Sequence, residues 1–416
     1  MLIGYIGYTA MLGMWVWKSG VLTNPKSYAF MVMYLLILGI TICTTWNKDS
    51  HTKREVLLAL TLINLGLAVA ARMGEENYSK FMVDIFMMTA AFFIVYLVVR
   101  YTRLTEIAVL NWLLMLLLPV MLVGARIDGE VVNGSYLTFK GIPVFALVLI
   151  GYPFIVAYMM RLPEIKFMGG NVKHLSKTLL VLLGYTVALF FGCALCNEFG
   201  LLLILGVTAT CVFYVKCKNW FWKLAYTTTC IAGAIVAATL VPHIRERIDM
   251  WLHLEEMVKN PVLLDKMGWN LYLFQNLKQI GWWGKGIGTM SASGVYGTLN
   301  TDHVYATIIN DFSVFIALGV LVLACVWIWS IMKTTEGAKT YDYYLHLSIS
   351  LSIGMLFLLH ISSNLSSFIT AGIPLPLVSD ASGVNVALAI LLAAHCASDE
   401  RRRRDIYAWE EEAMYE

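Results

Sequence analysis

Of the 416 residues, 59% are hydrophobic and 14% charged, whereas soluble domains hold about 45–50% apolar and about 25% charged residues, so a water-soluble globular protein is excluded. Runs of about ten residues with alternating polarity do not occur, which excludes a membrane β-barrel. The net charge of +3 excludes little, because the placement of charge matters more than its sum.

Taken by the length of its apolar runs, the chain predicts an all-α polytopic membrane protein with about 12 transmembrane helices and one large extracytoplasmic loop. The spans fall near residues 2–17, 28–46, 55–72, 80–99, 105–123, 142–160, 177–196, 198–215, 220–241, 303–332, 342–362 and 382–397. The run at 303–332 is long enough to tilt or to extend beyond the membrane. The seventh and eighth spans meet at Asn197-Glu198, which demands a tight turn. No cleavable leader pattern opens the chain. The eight cysteines are scattered, and Cys193 and Cys196 lack the second pair that a metal or redox motif needs, so they read as helix packing.

Lys and Arg concentrate in alternate short loops: Lys48, Lys53 and Arg54, then Arg100 and Arg103, then Arg161 to Lys177, then Lys216 to Lys223, then Lys333 and Lys339. The positive-inside rule therefore puts both termini in the cytoplasm and the 242–302 loop outside. The tail, 399–416, joins Arg401 to Arg404 with Glu410 to Glu412. It reads as a topology anchor and solvated end, or as a contact for anionic lipid or a cytoplasmic partner.

The outer loop is the long polar interruption of the chain. It opens on His243-Ile-Arg245-Glu-Arg247-Ile-Asp249, continues through Gly281-Trp-Trp-Gly-Lys285-Gly-Ile-Gly288 and ends on Asn300-Thr301-Asp302-His303. A carboxylate at a membrane–water lip, with basic groups in the same loop, is where chemistry is expected. The glycines follow no strand and open no βαβ helix, so a nucleotide loop is not indicated. His243, His253 and His303 are too irregularly spaced for a zinc set, and no metal site is expected from them. Trp251, Trp269, Trp282 and Trp283 read as an interfacial belt or as platforms for a sugar.

Several stretches, in order, resemble the SEDS family, the FtsW, RodA and SpoVE proteins of bacterial wall synthesis. Gly124-Ala-Arg126 resembles the family's Gly-Ala-Arg-Arg-Trp, and Asn197-Glu198-Phe-Gly200 its Pro-Asp-Leu-Gly turn. Arg247-Ile-Asp-Met-Trp251-Leu resembles Arg-Ile-x-x-(Phe/Trp)-Leu. Gln275 to Gly281 with Gly284-Lys285-Gly-Ile-Gly288 resembles the Gln-Ser-Leu-x-x-Ile-Gly and Gly-Lys-Gly-Leu-Gly run. Thr301-Asp302-His-Val-Tyr305-Ala resembles His-Thr-Asp-Phe-Ile-Phe-Ala, and Gly372 to Ser379 nearly reproduces Gly-Ile-Pro-Leu-Pro-Phe-(Ile/Val)-Ser. The resemblance covers roughly residues 105–398. It implies a family body of about ten spans at 55–398, with 1–54 as an extra N-terminal helix pair. The chain departs from the family in three places: Thr138 to Pro143 replaces Gln-Pro-Ser-Glu, Ile309-Asn310-Asp311 replaces Gly-Glu-Glu, and Ser379-Asp380-Ala-Ser382-Gly383 replaces Ser-Tyr-Gly-Gly-Ser.

The resemblance implies a peptidoglycan glycosyltransferase in the bacterial cytoplasmic membrane. Its substrate would be lipid II, the undecaprenyl-diphosphate-linked disaccharide peptide, and its partner a class B penicillin-binding protein; membrane lipids surround it and no nucleic acid is expected. Such transfer needs a base for the acceptor hydroxyl and positive charge for the leaving diphosphate. Asp302 matches the family's catalytic aspartate; the competing reading is a helix cap. Lys285, Arg245 and Arg247 are the diphosphate candidates, with ion pairing to Glu246 or Asp249 as the alternative for the arginines. Glu198 supports the site or caps a helix, and Ser379 and Asp380 complete the substrate-binding candidates. No cofactor is evident, and a divalent cation is left open. Two further functions remain: a flippase for the polyprenyl-linked precursor, which Asp84, Asn310 and Asp311 inside the spans would favour, and a catalytically weak scaffold for the partner.

Overall fold

The computed structural model describes residues 13, 50–132, 135–136, 138–163, 176–254, 256, 279–286, 289, 299–369 and 372–415. The helices, in order, are α1 (Ser50–Arg72), α2 (Glu75–Tyr101), α3 (Ala108–Asp128), α4 (Val144–Arg161), α5 (Lys177–Leu195) and α6 (Phe199–Lys216). They continue as α7 (Trp220–Leu240), α8 (Pro242–Leu252), α9 (Val304–Asp311), α10 (Val314–Lys333), α11 (Thr340–Asn364) and α12 (Ser382–Tyr415). A 3-10 turn, Leu104–Glu106, joins α2 to α3. Two antiparallel hairpins, Val131–Val132 with Ser135–Tyr136 and Thr138–Phe139 with Ile142–Pro143, lie between α3 and α4. Among the described residues, 10 helices, all but α8 and α9, are long and apolar enough to cross a membrane. They correspond to the spans expected from residue 55 onward; those at 2–17, apart from residue 13, and at 28–46 lie outside the described residues.

Lipid offers no hydrophobic drive for helix pairing, so close approach of small residues has to supply it. Gly192 of α5 faces the Leu122 side chain of α3, where an added Cβ would come within 2.8 Å. Gly66 of α1 packs on the Val378 backbone, where a Cβ would come within 2.9 Å. The helices α1, α4, α11 and α12 form the interior, whereas α7 buries no residue. That helix rests on α6 through the stacked rings of Phe213 and Tyr226, 4.2 Å apart, and the Thr210–Tyr226 hydroxyl contact of 3.0 Å. It carries α8 on its end.

Two departures from a simple bundle shape the polar end. The apolar run at 303–332 is two helices, not one, broken at Phe312-Ser313. Ser313 restarts the helix by accepting from the Ile316 N–H at 3.2 Å. The 242–302 loop fills the break with its backbone: Lys285 N–H donates to Asn310 O at 2.7 Å and Val314 N–H to Trp282 O at 3.1 Å. Gly284 has φ +72 and would place a Cβ 2.6 Å from Asn310 O, so this close approach requires glycine. Beside the break, Arg72 and Asp311 form an ion pair with side chains 1% and 0% exposed.

The second departure is the non-helical stretch before α12. Ile373, Leu375, Leu377, Val378 and Ser379 are buried, and irregular backbone at that depth must find its partners in protein. It does: Ser379 Oγ accepts from Leu375 N–H at 2.8 Å, and Asn385 Oδ1 accepts from Leu377 N–H at 3.1 Å. Asn385 Nδ2 also donates to Ser379 O at 2.8 Å. The helix α12 runs through the 399–416 segment as far as Tyr415, and its first tail arginine, Arg401, is buried against the bundle.

Candidate functional site

The polar end gathers residues from across the chain around Asn300-Thr301-Asp302. Asp380 N–H donates to Asn300 O at 2.7 Å, and Ser379 Oγ donates to Thr301 O at 2.7 Å. The Asn300 amide reaches Asn77 Oδ1 at 3.0 Å, and Lys80 lies 3.7 Å from the Asp380 carboxylate. Burial raises the Asp380 pKa and Lys80 opposes the rise. Ser379 and Asp380 are thus brought to the site as clamps on the strand that carries Asp302.

Asp302 is not a helix cap. The first free N–H groups of α9 are satisfied from α11: His360 Nε2 accepts from Tyr305 N–H at 3.3 Å and Asn364 Oδ1 from Ala306 N–H at 3.0 Å. Asn364 Nδ2 in turn donates to the Asp302 main-chain oxygen at 2.8 Å, and His360 Nδ1 is held by Ile373 O at 2.6 Å. Asn364 and His360 are site residues that the sequence does not announce. Both lie far along the chain, in a helix otherwise read as a plain span. With these donors served, the Asp302 carboxylate makes no side-chain hydrogen bond among the described residues and is left for other work.

Three charges share this space. Asp302 and Glu198 both lie within electrostatic reach of Arg247 and, more weakly, of each other. Burial raises the pKa of Asp302 and Arg247 opposes the rise, so the carboxylate is a stronger base than a free one. Burial lowers the Arg247 pKa, against the pull of the two carboxylates. Glu198 is pushed up to about 7, by burial first, with Arg247 opposing and Asp302 adding. Nor does Glu198 cap α6, since its side chain makes no capping bond and Oε1 is buried without a partner. His303 next door is buried, its pKa lowered to about 4 and its Nδ1 unpartnered, so it is neutral at physiological pH.

Other sequence candidates stand apart. Arg245 points outward, with its side chain 67% exposed and 3.8 Å from Asp249 in an i,i+4 pair. Lys285 is exposed, and its backbone is tied to Asn310 at the far end of α9, about 12 Å of helix rise from Asp302. Trp282 and Trp283 flank Phe315, with centroids 5.8 and 5.2 Å away, and are largely exposed, as belt residues are. Arg126 lies over the Tyr136 ring at 4.6 Å and donates to its hydroxyl at 2.7 Å. The preceding hairpin residue, Ser135, donates to Asn197 O at 3.1 Å, which fixes the turn that presents Glu198. Among the described residues, no three His, Cys, Asp or Glu side chains converge as a metal-ligand set.

The Glu198 carboxyl gives a pH test. Its native pKa of about 7 exceeds the ordinary 4.5, so between those values the folded protein keeps a proton that the unfolded chain has released. Stability from this group is complete below the lower value, declines as pH rises and levels off above the upper one. The thermal midpoint of the wild type should therefore fall from mildly acidic to neutral pH, by the equivalent of about 2 kcal/mol after solvent screening. Glu198→Gln should flatten that slope; the same slope in the variant would assign the titration to another group.

No family model matches the chain. Over 193 residues it is 24% identical to the probable peptidoglycan glycosyltransferase FtsW of Neisseria gonorrhoeae, an alignment covering 44% of this chain and 39% of that protein. The chain therefore spans about two-fifths of the length of the curated relative it matches. Among solved structures, a chain of a peptidoglycan synthase complex, described for its coordination of polymerization and crosslinking, superposes with a TM-score of 0.65 at 14% identity. That match covers 84% of this chain and 97% of the other. The rod shape-determining protein RodA of Thermus thermophilus superposes at 0.58 and 15% identity, covering 84% of this chain and 96% of RodA. The chain is thus a polytopic helical membrane protein that shares the fold of RodA and of the peptidoglycan synthase chain and is similar, over part of its sequence, to FtsW.

Proposed function

We propose that the protein is a peptidoglycan glycosyltransferase that polymerises lipid II at the outer face of the bacterial cytoplasmic membrane. Both termini lie in the cytoplasm on this reading, which rests on the Lys/Arg bias of the short loops. The observation that carries it is the uncapped Asp302 carboxylate beside the part-buried Arg247. In the reaction, Asp302 takes the proton of the acceptor sugar hydroxyl as that oxygen bonds to the anomeric carbon. The bond from that carbon to the diphosphate breaks, and the electron pair leaves with the lipid diphosphate. Arg247 balances the charge that builds on this leaving group. Glu198, with a pKa near neutrality, is suited to take up or return the proton between turnovers. Lys285, exposed on the same loop, serves the outer part of the substrate.

The partner proposed is a class B penicillin-binding protein. Support comes from the structural neighbour, a chain of a peptidoglycan synthase complex that joins polymerization to crosslinking. A flippase reading would need ionisable groups in the spans that are free to bind cargo. Asp311 is instead paired with Arg72, and Asn310 is held by Thr289 at 2.9 Å and by Asp311 at 2.7 Å. Asp84 is buried, bonded to Ser382 and within electrostatic reach of Lys80 and Asp380, and its Oδ2 has no hydrogen-bond partner among the described residues.

The test is glycan-chain formation from purified lipid II, with and without the partner. Wild type should make chains. Arg247→Ala should lose at least about tenfold in rate, and Arg245→Ala less than roughly twofold. A wild type that makes no glycan with any partner would overturn the proposal, and equal losses in the two arginine variants would overturn the assignment of Arg247.

A further inference from the structure

At the end of the bundle opposite Asp302, a cavity of about 690 Å³ opens between the 3-10 turn, the end of α4, the start of α11 and the charged part of α12. We propose that it is a binding site for a phosphate-bearing anion, separate from the reaction site.

Five basic side chains line it: Arg103, Arg161, Lys339, Arg401 and Arg402. The acids that line it number three, Glu106, Asp342 and Asp405, so the lining carries a surplus of two positive charges (five minus three). Each acid is also engaged. One Glu106 oxygen receives Arg401 at 3.0 Å and the other Arg161 at 2.5 Å. Asp342 is held by the Ser398 hydroxyl and lies 3.9 Å from Arg401. Asp405 lies 3.9 Å from Arg103 and 3.8 Å from Arg404. The acids thus fix the arginines in place rather than standing ready for a cation.

What remains unmet in the cavity is donors. Arg402 gives Nη2 to Asp399 at 2.7 Å and Nη1 to Thr334 O at 3.0 Å, but its Nε is buried without a partner. Lys339 is exposed and has no ion pair among the described residues. It also stands at the N-terminus of α11, a 25-residue helix whose start has no side-chain cap. Residues Thr340 and Tyr341 bring that positive end of the helix into the cavity wall. A surplus of donors and positive charge in one recess calls for a ligand made of acceptors, and phosphate oxygens are acceptors only. The volume exceeds what a bare phosphate needs and lies in the range of small-molecule pockets.

Two sources carry that chemistry, a phospholipid headgroup and a soluble phosphate compound. The surroundings favour the lipid: Ile406, 46% exposed, lines the recess, and Leu104 and Ile107, 43% and 47% exposed, adjoin the lining residues Arg103 and Glu106 in the chain, so acyl chains could lie against them while the headgroup sits inside.

The experiment uses the full-length protein, purified and stripped of lipid in detergent. In one arm, native mass spectrometry compares retention of added phosphatidylglycerol and phosphatidylcholine. In the other, inorganic phosphate is compared with sodium chloride at equal ionic strength for its effect on the thermal midpoint. Wild type should retain phosphatidylglycerol about tenfold over phosphatidylcholine. Lys339→Glu, which breaks no pair in the structure, should abolish that preference, as should Arg161→Gln. The control double variant Lys218→Gln with Lys223→Gln, at another basic loop of this end, should keep it. A rise in midpoint with inorganic phosphate, lost in Lys339→Glu, would assign the site to a soluble ligand instead of a lipid. The proposal is overturned if neither probe binds, or if binding is unchanged in both Lys339→Glu and Arg161→Gln.

Discussion

Asp302→Asn is expected to yield a folded, membrane-inserted protein that loses at least about a hundredfold in glycan synthesis from lipid II. The amide keeps the shape of the side chain and removes its capacity to accept a proton. The structure sharpens the test, because the N–H groups that open α9 are already served by His360 and Asn364. Asn364 also grips Asp302 by its main-chain oxygen, which no substitution there removes. Asp302→Ala should therefore be as stable as Asp302→Asn and equally inactive. A capping aspartate would behave otherwise, with Ala costing about 1 kcal/mol and Asn nearly nothing. Parallel measurement of polymerisation and of the thermal midpoint separates these outcomes. Full activity in the Asn variant would end the assignment of the base.

Asp311→Ala should be the most destabilising single change at this end of the bundle. Its partner Arg72 is 1% exposed, and Nε and Nη1 of that guanidinium have no hydrogen bond to fall back on. Removing the carboxylate strands a buried cation, which costs about 3–5 kcal/mol. Arg72→Leu combined with Asp311→Leu removes both charges and should recover most of the loss, because the desolvation cost disappears with the pair. Thermal midpoints of the single and double variants decide this. A double variant no more stable than Asp311→Ala would show that the carboxylate acts through the Asn310 amide, 2.7 Å away, rather than through Arg72.

The spans from residue 55 onward were legible because their apolar length is set by the thickness of a bilayer, a local property of the chain. The break at Phe312-Ser313 was not, since the run around it is apolar and only distant partners create it. Those partners are Arg72 from α1 and the backbone of Gly281 to Lys285. Arg245 and Arg247 looked equivalent as basic residues of one loop. Two positions apart on a helix, they face different ways, so helical periodicity separates the outward one from the inward one. Glu198 and Asp302 both look like helix caps from their position before an apolar run. Only the folded structure reveals that α11 takes over the capping at α9 and that one Glu198 oxygen is left buried and unpartnered.

One feature of the bundle gives its polar end an uneven stiffness. The Asp302 strand is stitched to α2, α11 and the stretch before α12, whereas Arg247 rides on α8 at the tip of α7, which buries none of its residues. One bond, from Trp251 Nε1 to Ser366 O at 3.2 Å, ties α8 to the turn after α11; displacing α7 by a few ångströms through lipid would strain that tie and draw the cation away while the carboxylates stayed in place. Without its counter-ion, Asp302 would hold its proton more tightly. Whatever presses on the lipid face of α7 can therefore set the basicity of the Asp302 carboxylate without touching it.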